Sequence, residues 1–155
     1  MKKDEGATLL EFGIVLPIAL LLLLGIAEGA RFVAEKQAVA TASREAARFG
    51  STTGETAGVP HYADCAAIRE RAQASSPFEI LDTDILVTYD SGPASPQLGI
   101  CPTTGPYANP DAISSGDRIV VTVSRSFSSN LPFLGSVFDM EIATTEHRTI
   151  VKGEL

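Results

Sequence analysis

Hydrophobic and polar positions follow three successive patterns along this chain. Residues 12–27 read FGIVLPIALLLLLGIA, sixteen residues without a charge, and extending back to Ala7 gives 21 residues interrupted only by Glu11. A bilayer core about 30 Å thick takes about 20 helical residues at 1.5 Å each, so the run predicts a helix that spans a membrane. A carboxylate inside lipid is costly, so Glu11 is expected at the edge of the span or with a partner. Pro17 lacks an N–H and is expected to kink or locally open the helix, which neighbouring protein can tolerate.

Residues 28–50 change the pattern without ending the helix. They are rich in Ala, Glu, Lys, Arg and Gln, all strong helix formers. Opposite charges recur at helical spacing: Glu28 with Arg31, Arg31 with Glu35, Glu45 with Arg48. Ala30, Ala34, Ala38, Ala42 and Ala46 recur every four residues after Gly25 and Gly29, a series that lets another backbone approach closely or simply favours helix. Gly50 is the expected stop just past the helix end. The helix expected over 7–49 would be about 65 Å long.

A third pattern begins beyond a Gly/Ser/Thr linker at 50–60. Residues 62–75 predict a short helix, with Ala66, Ala67 and Ile68 inward and Arg69, Glu70 and Arg71 towards solvent. Residues 80–89, 118–127 and 140–151 predict strands, the middle one alternating Ile119, Val121, Val123 against Val120, Thr122, Ser124. The intervening stretch 90–117, crowded with Gly, Pro, Ser and Thr, is expected to be a long loop. The economical arrangement is a three-stranded antiparallel sheet packed on helix, an α+β class.

Charge separates the same two parts. Residues 1–50 carry six basic and six acidic side chains, and residues 51–155 carry six and thirteen, so the whole net charge of −7 lies after the helix. Such an acidic chain argues against nucleic acid as a partner. His61 and His147, with Cys65 and Cys101, match no zinc spacing, and no nucleophile, phosphate-binding or dinucleotide motif appears. Asp82 and Asp84 fit a solvated strand entrance. No enzyme, cofactor, metal or small-molecule substrate is expected.

Just before the apolar run, a charged leader ends in Gly6, followed by Ala7, three residues, Glu11 and Phe12. This resembles a type IV prepilin processing site, where a membrane peptidase cuts after the Gly and the Glu becomes the fifth mature residue. With Pro17, Gly25, Gly29, Arg31 and the run Ser43-Arg44-Glu45-Ala46-Ala47-Arg48, residues 6–50 are similar to the TadE-like family of pseudopilins from tight-adherence (Flp-type) pilus systems. The resemblance implies three parts: a leader over 1–6, a transmembrane and extended helix over 7–50, and an exported α+β domain over 51–155 with a pilin-like fold. It also implies processing at Gly6, Ala7, Glu11 and Phe12 by a prepilin peptidase. Subunit packing would run through Glu11, Pro17, Gly25, Gly29, Ala30, Ala34 and Ala38. Partners would be the membrane, other pilin or pseudopilin subunits and pilus assembly proteins.

Lys2 and Lys3 before the span suggest a cytoplasmic amino terminus in a bacterial inner membrane, with the carboxyl-terminal domain periplasmic or extracellular. Export would favour a Cys65–Cys101 bridge over two free thiols. Two other readings stay open. Ala27-Glu28-Gly29 can be read as a signal-peptide cleavage site releasing a soluble protein, and a single-span anchor can carry a binding or adhesive module.

Overall fold

The computed structural model describes residues 4–129 and 139–153. Helix α1 (Asp4–Ser51) is one continuous rod of 48 residues and runs through Pro17 without a break. At 1.5 Å per residue it extends about 70 Å. Its two halves have different surroundings. Residues 8–27 are exposed throughout, whereas Glu35, Ala38, Val39, Ala42, Ser43, Ala46, Ala47 and Gly50 are buried. Those buried positions step by three and four, the spacing of one helix face. Most are small, so the sheet and second helix come close to the rod.

Gly50 shows how close. A Cβ placed there would overlap Ile119 Cδ1 and come within 3.2 Å of Ile68 Cδ1. The residue was expected as a helix stop. It is instead a buried helical residue one position before the end, required by the approach of β5 and α2 rather than by a left-handed backbone.

After α1 come two two-residue strands, β1 (Glu55–Thr56) and β2 (Val59–Pro60), turned by Ala57 and Gly58, both at positive φ. That pair of angles is the tight-hairpin geometry, which Gly58 adopts without steric cost. A 3-10 turn (His61–Ala63) leads into α2 (Cys65–Ala74), whose first turn is capped by the Asp64 carboxylate accepting the Ala67 N–H at 3.0 Å.

The main sheet is antiparallel, in the order β4-β3-β5-β6, from β3 (Ile85–Asp90), β4 (Gln97–Ile100), β5 (Arg118–Phe127) and β6 (Met140–Thr149). β5 pairs with β3 from Ile85↔Val123 to Asp90↔Arg118, and with β6 from Arg118↔Thr149 to Phe127↔Met140. Ile85, Val87, Tyr89, Ile119, Val121, Val123, Phe127 and Ile142 are buried and join the core with α1 and α2. Leu86 and Thr145 face solvent, as period-two alternation requires.

This is the expected α+β, pilin-like class: a long apolar helix packed on a small antiparallel sheet with a short helix. The sheet carries one strand more than the three expected. β4 lies inside the stretch read as loop and pairs with β3 across an irregularity at Tyr89/Asp90. Four residues, QLGI, on a sheet edge are too short to impose an alternating pattern. The expected strand over 80–89 begins later, because Asp82–Asp84 form a 3-10 turn in which the Asp84 carboxylate accepts the Leu81 N–H.

Candidate functional site: an open rod and its seat

The exposed half of α1 is the largest apolar surface among the described residues. Leu9, Leu10, Phe12, Ile14, Val15, Leu16, Ile18 and the chain from Leu20 to Leu24 and Ile26 are all exposed. The helix is long and apolar enough to cross a membrane. Glu11 is exposed, four residues after Ala7 on the same helix, hence about one turn away. Pro17 lies six residues further along, on the same open stretch. Gly25 and Gly29 have no atom within 4 Å of an added Cβ, and Ala30 and Ala34 are exposed too. Ala38, the last of the proposed packing series, is covered by the chain's own domain. The Ala series therefore changes surroundings partway, open at residues 30 and 34 and internal from 38 onward.

Where the rod enters the domain, a balanced ionic cluster holds it. Glu35 Oε1 accepts from Arg31 Nε at 3.2 Å, and Glu35 Oε2 accepts from Arg125 Nε at 3.1 Å. Arg31 also reaches Glu28 at 3.4 Å and donates to the Ser128 carbonyl, while Arg125 donates to the Glu79 carbonyl. Phe32 meets Phe127 edge-on at 5.3 Å between centroids, and the Arg31 guanidinium lies over the Phe127 ring at 4.8 Å. All three ion pairs expected within α1 form, Glu45 with Arg48 at 2.7 Å among them.

Arg125 was not singled out by sequence reasoning, yet a signal was present. It follows Ile119, Val121 and Val123 on the core-facing register of β5. A guanidinium there demands a buried acid, and Glu35 on the buried face of α1 demands a base.

At the other side of the domain a second set of contacts closes the long loop. Cys65, first in α2, is bonded to Cys101, the residue after β4, with 5.7 Å between Cα atoms. Arg69 was expected to face solvent. It is instead 3% exposed and donates to the carbonyls of Cys65, Cys101 and Pro102. The bridge brings those carbonyls against α2, and the guanidinium satisfies three of them; burial pulls its pKa below the usual arginine range. The Tyr89 hydroxyl donates to the Tyr62 carbonyl and lies 2.9 Å from Cys101 Sγ. Burial first, then the neighbouring Tyr107, raises its pKa well above the ordinary tyrosine value.

His61 stacks on Phe49 at 4.5 Å with Nδ1 3.1 Å from Thr52 Oγ1, whereas His147 is exposed on β6. Both cysteine sulfurs are engaged in the bridge. The carboxylate of Asp82 accepts from Gln73, and Asp90 forms a two-pronged pair with Arg118 at 2.6 and 2.9 Å.

Neither a curated protein nor a solved structure matches the chain. A family model described as TadE-like protein matches residues 6–48, from the glycine before the apolar run to the last turn of the rod. That match covers both the open half of α1 and the small-residue face seated on the sheet, so residues 6–48 are a TadE-like family domain.

Proposed function

We propose that this chain is a membrane-anchored, pseudopilin-like structural and assembly subunit of a Flp-type (tight-adherence) pilus. One observation carries the reading: the exposed apolar half of α1, with Glu11 near its start, falls within the TadE-like match. In this reading the rod resides in a bacterial inner membrane, the amino terminus faces the cytoplasm, and the disulfide-bearing domain lies outside.

Prepilin peptidase cleaves after Gly6 and leaves an ammonium on Ala7, one turn from Glu11. An ammonium, the subunit's own or a neighbour's, relieves the cost of a lone carboxylate in lipid. In assembly, Glu11 then sets register against the next subunit's amino terminus. Pro17, Gly25, Gly29, Ala30 and Ala34 give neighbouring rods close approach, and Ala38 marks where packing against other subunits gives way to the chain's own domain. The role is structural rather than enzymatic, with pilus assembly proteins as partners.

Continuity of α1 through residues 27–29, and the Glu28–Arg31 pair just beyond, support retention of the rod over release by signal-peptide cleavage. The test is fractionation of the native host with amino-terminal sequencing of the product. A membrane-retained chain beginning at Ala7, with Glu11→Gln sparing insertion but blocking pilus assembly, is the expected result. A soluble fragment beginning near Ala30 would instead establish a cleaved leader. A retained chain whose Glu11→Gln variant supports normal pilus assembly would remove the register role of Glu11.

A further inference from the structure

We infer that the outer domain docks head to tail on a second copy of the chain: the acid-ringed Leu81 of one copy enters a basic cavity between α1 and α2 of another. This deepens the proposed assembly role and rests on it.

The cavity, about 420 Å³, lies where the end of α1 meets α2, and Glu45, Arg48, Phe49, Arg71 and Ala74 are among the residues that line it. Arg71 is exposed, with its guanidinium over the Phe49 ring at 5.2 Å from the centroid. Arg44, one turn before Arg48 on α1, is exposed as well. Among the described residues neither Arg44 nor Arg71 has a carboxylate within ion-pair distance. Arg48 is engaged by Glu45 at 2.7 Å. Three guanidinium groups against one carboxylate leave the mouth positive.

That sign is opposite to the domain around it, since residues 51–155 carry six bases and thirteen acids. The other bases are committed elsewhere: Arg118, Arg125 and Arg148 pair with acids, Arg69 is buried, and Lys152 lies over the Tyr62 ring. A positive mouth favours an acidic partner, and a second copy presents an acidic domain.

The matching piece is on the same molecule. The connection from α2 to β3 reads Glu79-Ile80-Leu81-Asp82-Thr83-Asp84. Leu81 is 54% exposed, Glu79 and Asp82 are exposed and Asp84 is half-buried, so an apolar tip carries three acids around it. Asp84 accepts the Leu81 N–H and Asp82 accepts from Gln73, which fix the turn before any partner arrives. Asp139 and Glu141 also flank an exposed apolar residue, but Met140 lines a groove against Gly29 and Phe32 of its own rod.

Tip and cavity lie at different heights. The Glu79 carbonyl accepts from Arg125, which pairs with Glu35 on α1. The cavity is at Arg48, thirteen residues further along the rod and hence about 20 Å higher. Parallel rods joined this way are stepped along their axis rather than level. Each copy keeps one tip and one cavity free, so the contact repeats without closing.

Two tagged full-length copies are expressed together in the native host in place of its own chain. One carries Thr83→Cys beside the tip and the other Ala74→Cys at the cavity. Cells are oxidised, and both the sheared surface material and the membranes are resolved without reductant. Leu98→Cys, exposed on β4, replaces Ala74→Cys in the control.

The expected result is a crosslink between the two tags, well above the Leu98→Cys control. Arg48→Glu/Arg71→Glu on the cavity copy should lower its yield about tenfold, and Glu79→Arg/Asp82→Arg on the tip copy should restore it. A crosslink indifferent to these charges overturns the docking. A rod-bearing chain, in either fraction, that gives no crosslink above the control also overturns it and leaves the assembly reading intact. A soluble fragment beginning near Ala30 overturns both.

Discussion

Glu35 and Arg125 are 90 residues apart in sequence and 3.1 Å apart in the fold. Their pairing locks the rod to the sheet at the level where the rod leaves the domain. The Glu35 side chain is 6% exposed, while Arg31 and Arg125 keep 31% and 27%. Removing the acid leaves two partly buried cations facing each other. We expect Glu35→Gln to cost about 2–3 kcal/mol, less than for a fully buried pair because water still reaches both guanidinium groups. Urea denaturation in detergent should show the lower midpoint, and Arg31→Met/Arg125→Met should recover part of the loss in the Glu35→Gln background.

Cys65–Cys101 closes a loop across 36 positions, and the chain-entropy relation gives it about 4 kcal/mol of stabilisation. Cys65→Ser/Cys101→Ser should lower the denaturation midpoint by a corresponding amount. Reductant should shift the parent protein towards the variant and leave the variant unchanged.

Gly50 and Gly29 lie on one helix and should respond oppositely to alanine. At Gly50 the new methyl meets Ile119 and Ile68, and overpacking of this kind costs about 1–3 kcal/mol. At Gly29 the space is open, so the gain in helix propensity, up to about 1 kcal/mol, should prevail. Thermal melts of the two single variants decide this directly.

Acid should loosen the end of the sheet farthest from the rod's exit. Hydrogen bonding from Arg118 holds the Asp90 carboxyl below its ordinary value. A depressed folded-state pKa means that the pair contributes fully above the unfolded value, about 3.9, and is lost as pH falls through the lower folded value. Stability should therefore decline with acid below about pH 4, with a smaller decline in Asp90→Asn. Denaturant midpoints of the two proteins across the acid range measure the difference.

Local features were the legible ones. The uncharged run, the ion pairs three and four residues apart and the alternation of β5 each state their element within a few residues of sequence. What stayed hidden depended on distant partners. Arg69 looks like a solvated helix residue until the bridge brings the carbonyls of Cys101 and Pro102 beside it. Gly50 looks like a terminator until Ile119 is seen against it. Strand β4 owes its conformation to β3, to which it pairs, rather than to its own four residues. The open rod was readable because exposure of so much apolar surface needs no internal partner. The seat at Glu35 and Arg125 needed two segments to be read together.

Since α1 passes from its bare half into the domain without a joint, the domain cannot swivel independently of the part below. Membrane helices lean by about 20° on average, and over the roughly 35 Å from Ala27 to Gly50 such a lean would carry the summit of the sheet sideways by about 12 Å. Any pull or twist on the apolar half of α1 would thus be felt at the top as the sweep of a mast.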